Sequence, residues 1–406
     1  MNKLLPGIGL FVATVAAVVV YPGLKANTQV IPPVQVAPPA VKPAEINLSQ
    51  VSAPSIDLVF VLDTTSSMDG FIETAKEKIW SIATTMTSAQ QTPDIRIGLV
   101  AFRDRGDSYI TKTIDLSDDI DSVYAALMDF EARGGGDGPE SVNKGLYDAV
   151  NELSWSQNPN NYQTIFLVGD APPHMDYRND VKYAETVAEA TRRGIVINTI
   201  QCGQDSQTTS IWKDIAQLGG GKYFRVDQSG GGVAMNTPYD EQLATLSAEL
   251  DGTRMYFGSE LDKELMEEKV EATRKLHASS SLASRARRGV FNSSGSGRKN
   301  SLGSNELVDA VTSGRVRVEE LNDEELPAEL VAMDTQAKEA AIEELATARE
   351  GLETRIRELS KKRESYIKEE LAKAPSPTDS LDYKLYEAVR DQGAEVGLTY
   401  DSGPEY

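Results

Sequence analysis

Three oxygen-bearing side chains follow a short apolar run at alternate positions, and their types are those that bind hard cations. Asp63 comes directly after the apolar run at residues 56–62, and Thr65 and Ser67 follow in the next turn. Alternate residues of such a turn can point to the same side, so one carboxylate and two hydroxyls can converge. Oxygen donors of this kind suit Mg²⁺, Mn²⁺ or Ca²⁺ and suit Zn²⁺ poorly. Because two of the three donors are neutral, a bound cation could still accept a carboxylate from outside.

The same three residues also have a purely structural interpretation, because Asp, Thr and Ser after a strand are preferred helix caps. Their surroundings favour a metal site. Asp170 directly follows a second apolar run at residues 164–169, and the carboxyl ends of neighbouring parallel strands meet at one edge of a sheet. A glycine-rich stretch at residues 134–140 lies between the two runs in the sequence. The predicted metal ligands are Asp63, Thr65, Ser67, Asp170 and, from the glycine-rich stretch, Asp137.

Two further residues are predicted at the rim of this site, where they could contact the ligand. Glu140 ends the glycine-rich stretch, and His174 stands four residues after Asp170 beside two prolines that stiffen its loop. A histidine at the rim could also sense pH. The alternative for His174, a hydrogen bond within its own loop, stays open. Cys202, at the end of another strand candidate, is interpreted as a small buried hydrophobic residue.

The elements that must position these residues alternate between strands and helices. Short apolar runs predict strands, and apolar spacings of three and four predict helices. The strands are expected at residues 56–62, 95–102, 164–168, 195–201 and 222–226, with an edge strand at 109–114, and the helices at 71–83, 119–131, 139–153, 180–193, 208–218 and 240–250. This alternation predicts an α/β domain over residues 56–257, with a doubly wound, mostly parallel sheet that binds ligands at the carboxyl ends of its strands.

A separate α-helical region is predicted after this domain. Residues 258–334 comprise a charged helix and a Ser-, Gly- and Arg-rich stretch at 277–304 that is expected to be a mobile linker. Residues 335–374 form a long charged helix with a heptad pattern, which leaves open both a self-associating coiled coil and packing on this chain's own domain. Residues 375–406 are a tail with a short helix.

The N-terminal part of the sequence indicates the compartment. An apolar run at residues 4–20 within the first 26 residues predicts an export signal or, if it is not cleaved, a membrane anchor. Residues 27–55 are a proline-rich linker. We therefore expect the protein in the cell envelope outside the cytoplasm, periplasmic or on the cell surface, anchored or secreted. The net charge of -21, from 62 acidic and 41 basic residues, argues against a nucleic-acid partner.

Together these motifs resemble the von Willebrand factor A domain, and in particular its bacterial branch. The string at residues 63–68 is similar to the family's metal-ion-dependent adhesion site, and Asp170 matches the family's second aspartate. The resemblance implies a binding domain without enzymatic activity, which holds Mg²⁺, Mn²⁺ or Ca²⁺ and captures an Asp or Glu side chain of a protein partner. The sequence departs from the family at the third ligand, usually threonine. Asp137 either replaces it or caps a helix that begins at Pro139.

Other chemistries lack the residues that they need. A phosphate-binding loop at residues 134–138 has no Gly-Lys-Ser/Thr signature, and Asp137 would repel the anion. A haloacid-dehalogenase-type phosphohydrolase requires an acid where Thr65 stands, and a serine hydrolase requires a Gly-x-Ser-x-Gly motif that the sequence does not contain. A structural envelope scaffold acting through the C-terminal helices is the alternative to the binding module, followed by a metal-dependent hydrolase.

Overall fold

The computed structural model describes residues 54–136, 138–158, 160–229, 235–373, 380–401 and residue 403. The export segment predicted at 1–26, nearly all of the proline-rich linker and Asp137 lie outside the described residues. The strands are β1 (Ser55–Asp63), β2 (Asp94–Phe102), β3 (Thr111–Ser117), β4 (Asn161–Gly169), β5 (Val196–Cys202) and β6 (Gly220–Val226). They form one sheet in the order β3-β2-β1-β4-β5-β6, in which only the β2–β3 pair is antiparallel. The mostly parallel sheet is confirmed.

Helices cover both faces of the sheet because its central strands are apolar on both sides. Residues of β1 such as Leu58 and Phe60 face one hydrophobic core, and Val59 and Val61 face the other. The first core includes α1 (Asp69–Thr87) and α2 (Ile120–Met128), and the second includes α3 (Val142–Asn151), α4 (Tyr183–Arg192) and α5 (Ser206–Leu218). The sheet order places β1 between β2 and β4, so the turn after β1 lies at the centre of the carboxyl edge.

The region after α6 (Asp240–Asp251) is helical, as predicted, but it contains more helices than the sequence pattern indicates. These are α7 (Glu260–Ser279), α8 (Leu282–Asn292), α9 (Gly295–Leu302), α10 (Leu307–Thr312), α11 (Ala328–Val331), α12 (Thr335–Leu371) and α13 (Leu381–Gly393). Among the described residues, no helix is both long enough and apolar enough to span a membrane.

The prediction of a mobile linker at residues 277–304 is wrong, because most of this stretch belongs to α7, α8 and α9. Its serines are helix caps: the Ser281 and Ser294 side chains accept hydrogen bonds from the backbone N–H groups of Ser284 and Gly297. Its arginine content also has a structural role, since Arg288 is completely buried in α8. Residue types that are typical of a solvated linker therefore serve here as caps and ion-pair partners.

The long charged helix predicted at residues 335–374 is confirmed as α12. One of the two seam positions of its heptad pattern, called the first heptad seam here, packs on this chain. The seam residues Ile342, Arg349, Ile356 and Arg363 are all buried. Arg349 donates to both carboxylate oxygens of Glu306 at 2.9 and 3.0 Å, and α12 packs against α6, α8 and α10. The structure therefore accounts for this seam by contacts within the chain, and self-association stays a prediction.

Helix α13 completes the core of the α/β domain, although it lies far from β6 in the sequence. It packs against α1 and β6, and Leu381, Leu385 and Val389 belong to the same hydrophobic core as β1. The Lys78 ammonium of α1 pairs with Asp382 at 2.7 Å, with both side chains almost fully buried. The short helix predicted in the tail is thus an integral part of the domain.

Candidate metal site

The turn after β1 brings together the three side chains that the sequence pattern singles out. Asp63 is the last residue of β1, and its Oδ1 accepts hydrogen bonds from the Thr65 backbone N–H at 2.9 Å and from Thr65 Oγ1 at 2.7 Å. Thr65 Oγ1 lies 3.3 Å from Ser67 Oγ. The capping alternative is not observed for α1, whose N-cap position is Met68 and has no side-chain capping bond. The side chains of Asp63, Thr65 and Ser67 therefore contact one another in the turn and do not cap α1.

The second carboxylate oxygen of Asp63 is buried without a hydrogen-bond donor from the described residues. Burial is the main reason why the pKa of Asp63 rises to about 7, and the nearby Asp170 raises it further, against the lowering effect of the Thr65 hydrogen bonds. A buried carboxylate oxygen without a donor or cation is costly in free energy. A divalent cation at this oxygen would remove that cost, so the residues present fit the metal that the motif implies.

Two glycines keep the space around these oxygens open. A Cβ atom on Gly169 would lie 3.0 Å from Asp63 Cβ and 3.2 Å from Asp63 Oδ2. Gly135 has a φ of +76°, and a Cβ there would lie 3.2 Å from Thr65 Cβ. Since a larger residue at either position would crowd Asp63 or Thr65, the glycines preserve room for a ligand beside the donor oxygens.

Asp170 lies where the parallel sheet predicts it, directly after β4 and beside the end of β1. Its charge acts on Asp63, and its Oδ2 accepts a hydrogen bond from Gln228 Nε2 at 2.6 Å. Asp137 is not described, but the helix that it was expected to cap begins at Val142 rather than Pro139, with Ser141 at the N-cap position. The predicted start of this helix at Pro139 is therefore three residues too early.

The two residues predicted at the rim, Glu140 and His174, are buried, with exposed fractions of 3% and 5%. His174 Nδ1 lies 2.8 Å from Asp176 Oδ1, its Nε2 lies 3.4 Å from Asp104 Oδ2, and its ring stacks on Tyr177 with centroids 4.0 Å apart. The His174 contacts match the alternative of hydrogen bonding within its own loop, and contact of either side chain with a ligand stays a prediction. Their loops pack against each other: the Glu140 carbonyl accepts a hydrogen bond from the His174 backbone N–H at 3.0 Å.

Two residues that follow β2 support the site and were not identified from the sequence. Arg103 donates through Nε to the Thr64 carbonyl at 3.1 Å and through Nη2 to the Glu131 carbonyl at 2.7 Å. Asp107 Oδ2 accepts from the Gly135 backbone N–H at 3.1 Å. The rule that carboxyl ends of neighbouring strands meet could have found both, since β2 pairs with β1.

The donor atoms of this site are carboxylate and hydroxyl oxygens, which suit a hard cation. In the part of the chain that the structure describes, no three His, Cys, Asp or Glu side chains are grouped to hold a metal ion. The candidate site instead combines the carboxylates of Asp63 and Asp170 with the hydroxyls of Thr65 and Ser67. Mixed oxygen donors of this kind leave coordination positions for water or for a partner.

A sequence-family model of the von Willebrand factor A domain matches residues 57–237. A stretch of 120 residues is 30% identical to the alpha-protein kinase vwkA of Dictyostelium discoideum, covering 29% of this chain and 19% of that protein. The chain thus spans about a fifth of the length of this relative.

Two solved structures are similar to this chain at low sequence identity. The VWA domain of SpRpn10 is 17% identical with a TM-score of 0.33, covering 43% of this chain and 89% of that one. Proximal thread matrix protein 1 of the mussel byssus, in a form with a zinc-occupied MIDAS motif, is 18% identical with a TM-score of 0.34, covering 43% and 42%. From the family match and the observed sheet, residues 57–237 of this chain form a von Willebrand factor A domain.

Proposed function

We propose that this domain binds a divalent cation at the carboxyl edge of its sheet and uses it to capture an acidic group of a protein partner. The observation that carries the proposal is Asp63, which is fully buried with one carboxylate oxygen lacking a donor among the described residues. Mg²⁺ is the first candidate, with Mn²⁺ and Ca²⁺ as alternatives, because all three prefer oxygen ligands.

The proposed ligands are Asp63, Thr65, Ser67 and Asp170, directly or through water, with Asp137 as a further ligand. The cation would supply a positively charged position at which a carboxylate can bind. The two carboxylates of Asp63 and Asp170 balance a doubly charged ion, so one additional anionic ligand is tolerated without strong repulsion, whereas a third carboxylate from Asp137 would weaken the attraction for an acidic partner. The partner is therefore a protein surface that presents an exposed Asp or Glu.

The location outside the cytoplasm belongs to the same proposal and is supported by the apolar run at residues 4–20 and the proline-rich residues after it. The alternative, a scaffold that acts through the C-terminal helices, would need free helix faces. The first heptad seam of α12 is instead buried within the chain. This seam is therefore not available to a partner, whereas most other residues of α12 are exposed.

Calorimetric titration of EDTA-treated full-length protein with MgCl₂, MnCl₂ and CaCl₂ tests cation binding. We expect saturable binding to the wild type, loss of binding in Asp63→Asn, and unchanged binding in Asp118→Asn. Asp118 is a suitable control because it is an exposed carboxylate that lines a surface cavity together with Ser55 and Asp94 at the opposite end of the sheet. A wild type that binds none of the three cations, or an Asp63→Asn variant that binds them normally, would refute the proposal.

Partner capture is tested with a defined probe, a glutarate titration of the Mn²⁺-loaded protein followed by water-proton relaxation. A cation with open coordination positions should hold exchangeable water, which a carboxylate would displace. We expect glutarate to lower the relaxation enhancement, and a neutral diamide of the same length to leave it unchanged. An enhancement that glutarate does not alter would contradict carboxylate capture while leaving cation binding intact.

A further inference from the structure

The side chain of Gln228 links two loops of the metal site from a strand that the site does not otherwise use. Gln228 is the second residue after β6. Its Nε2 donates to Asp170 Oδ2 at 2.6 Å and to the Ser67 carbonyl at 3.0 Å. One amide group therefore holds the loop after β4 and the turn after β1 in a fixed relation to each other.

The chain on either side of Gln228 is fixed, which directs this side chain towards Asp170. Val226, at the end of β6, accepts a hydrogen bond through its carbonyl from the Gly203 backbone N–H at 3.0 Å. On the other side, the Ser229 carbonyl accepts from Thr74 Oγ1 of α1 at 2.5 Å. The orientation of Gln228 is thus set by β5 and α1.

The residue opposite the Gln228 amide oxygen must be small. Gly203 has a φ of +78°, and a Cβ atom there would lie 2.5 Å from Gln228 Oε1. A side chain at position 203 would collide with the amide and displace it from Asp170. The absence of a side chain at Gly203 therefore leaves the space in which the Gln228 amide lies, and the positive φ independently favours glycine there.

The chemistry of this contact is that of a group that orients a metal ligand. A carboxylate that accepts a hydrogen bond on one oxygen cannot rotate freely, and its other oxygen is held in one direction. Groups that hydrogen-bond to ligating carboxylates in this way commonly change metal affinity by about 10- to 100-fold when they are removed. The second bond, to the Ser67 carbonyl, restrains the turn that carries the hydroxyl donors.

We propose that Gln228 is a positioning residue of the metal site, which orients Asp170 against the turn after β1 and couples the exit of β6 to cation binding. This inference rests on the cation binding proposed above and adds the loop after β6 to the site. Gln228 is exposed, so it contributes little to the hydrophobic core, and its role is specific to the loops that it joins.

The test compares Gln228→Ala with Gln217→Ala in the full chain by calorimetric titration with MnCl₂. Gln217 is an exposed glutamine near the end of α5, and its truncation should leave affinity unchanged. For Gln228→Ala we expect affinity to fall by about 10-fold. Hydrogen–deuterium exchange gives a second readout: Mn²⁺ should slow exchange in peptides covering β6 and residues 227–229 of the wild type, and no longer do so in Gln228→Ala.

The outcomes separate this inference from the proposed function. If the wild type binds no cation, the proposed function fails and Gln228 has no site to position. If the wild type binds Mn²⁺ and Gln228→Ala binds it equally or more tightly, the positioning role is overturned and cation binding stands. A fall in the unfolding temperature of Gln228→Ala in EDTA, with affinity unchanged, would also overturn it, because that result describes a purely structural contact.

Discussion

At the carboxyl edge of the sheet Asp63 is buried without an ion-pair partner among the described residues, whereas beneath the C-terminal helices Asp121 is buried against Arg288. The two guanidinium–carboxylate bonds of the second pair measure 2.6 and 2.7 Å, and neither side chain is exposed. Burial raises the pKa of Asp63 to about 7. Burial is also the largest single influence on Asp121, but the Arg288 charge, the Arg288 hydrogen bonds and the Lys269 charge together hold the pKa of Asp121 below its usual range.

Several other carboxylates in the helical interface also have a cation of their own. Arg363 pairs with Asp240 at 2.9 Å, in addition to the Arg349–Glu306 and Lys78–Asp382 pairs. A buried charge with a built-in partner fixes structure, since removing one member leaves the other uncompensated. A buried carboxylate with no cation partner is ready to receive one from solution. A Lys or Arg partner therefore marks the structural acidic residues, and Asp63 differs from them as the candidate metal ligand.

The largest effect is expected at the helical interface, from Arg288→Met. This change leaves Asp121 and Asp251 buried without the guanidinium that bonds to both. Breaking a buried pair by removing one partner costs about 3 to 5 kcal/mol in the free energy of unfolding. Urea unfolding checks this value, with Arg357→Met as the control because Arg357 is half-exposed. A loss below about 1 kcal/mol would contradict the structural role of this pair.

A pH-dependent effect is expected at Asp63 in the metal-free protein. Because its pKa is about 7 when folded and 3.8 as a free side chain, the folded state binds more protons between these values. Its contribution to stability is complete below about pH 4 and is lost as the pH rises through 7. At about 1.4 kcal/mol per pKa unit, the loss is on the order of 4 kcal/mol.

Unfolding in EDTA across pH 4 to 8 measures this loss as the difference between wild type and Asp63→Asn. We expect stability of the wild type to fall relative to the variant as pH rises, and saturating Mg²⁺ to reverse the fall above pH 7 because the cation compensates the carboxylate. Parallel pH profiles for the two proteins would show that Asp63 is not the uncompensated carboxylate described above.

The smallest effect is expected from Asp107→Ala. Asp107 Oδ2 accepts from the backbone N–H groups of Gly135 and Asp104, each at 3.1 Å, so the change removes two partly exposed hydrogen bonds. Each such bond contributes about 1 kcal/mol or less to stability. Thermal unfolding should therefore show a loss of about 1 kcal/mol. If Asp107→Ala lost as much unfolding free energy as Arg288→Met, hydrogen bonds at the carboxyl edge would stabilise the fold as strongly as the buried ion pairs, contrary to this prediction.

The parts of the fold and of the site that depend on residues close together in the sequence could be predicted. The apolar run of β1 and the turn at Asp63 are local, and sheet geometry then placed Asp170 beside them. Gln228 could not be found in this way, because its hydrogen bond to Asp170 depends on where the chain goes after β6. Arg288 is separated from Asp121 by 167 residues, so an arginine in a serine-rich stretch looked like part of a solvated linker.

The position of α13 has a consequence for how the protein is made. Leu381 and Leu385 fill the same core as β1, although more than 300 residues separate them in the sequence. During synthesis, the part of this core that α13 covers stays exposed until this helix has left the ribosome. Contacts between such distant parts of a chain also slow folding. The newly made chain must therefore keep this part of its core from aggregating while the residues between β1 and α13 are translated.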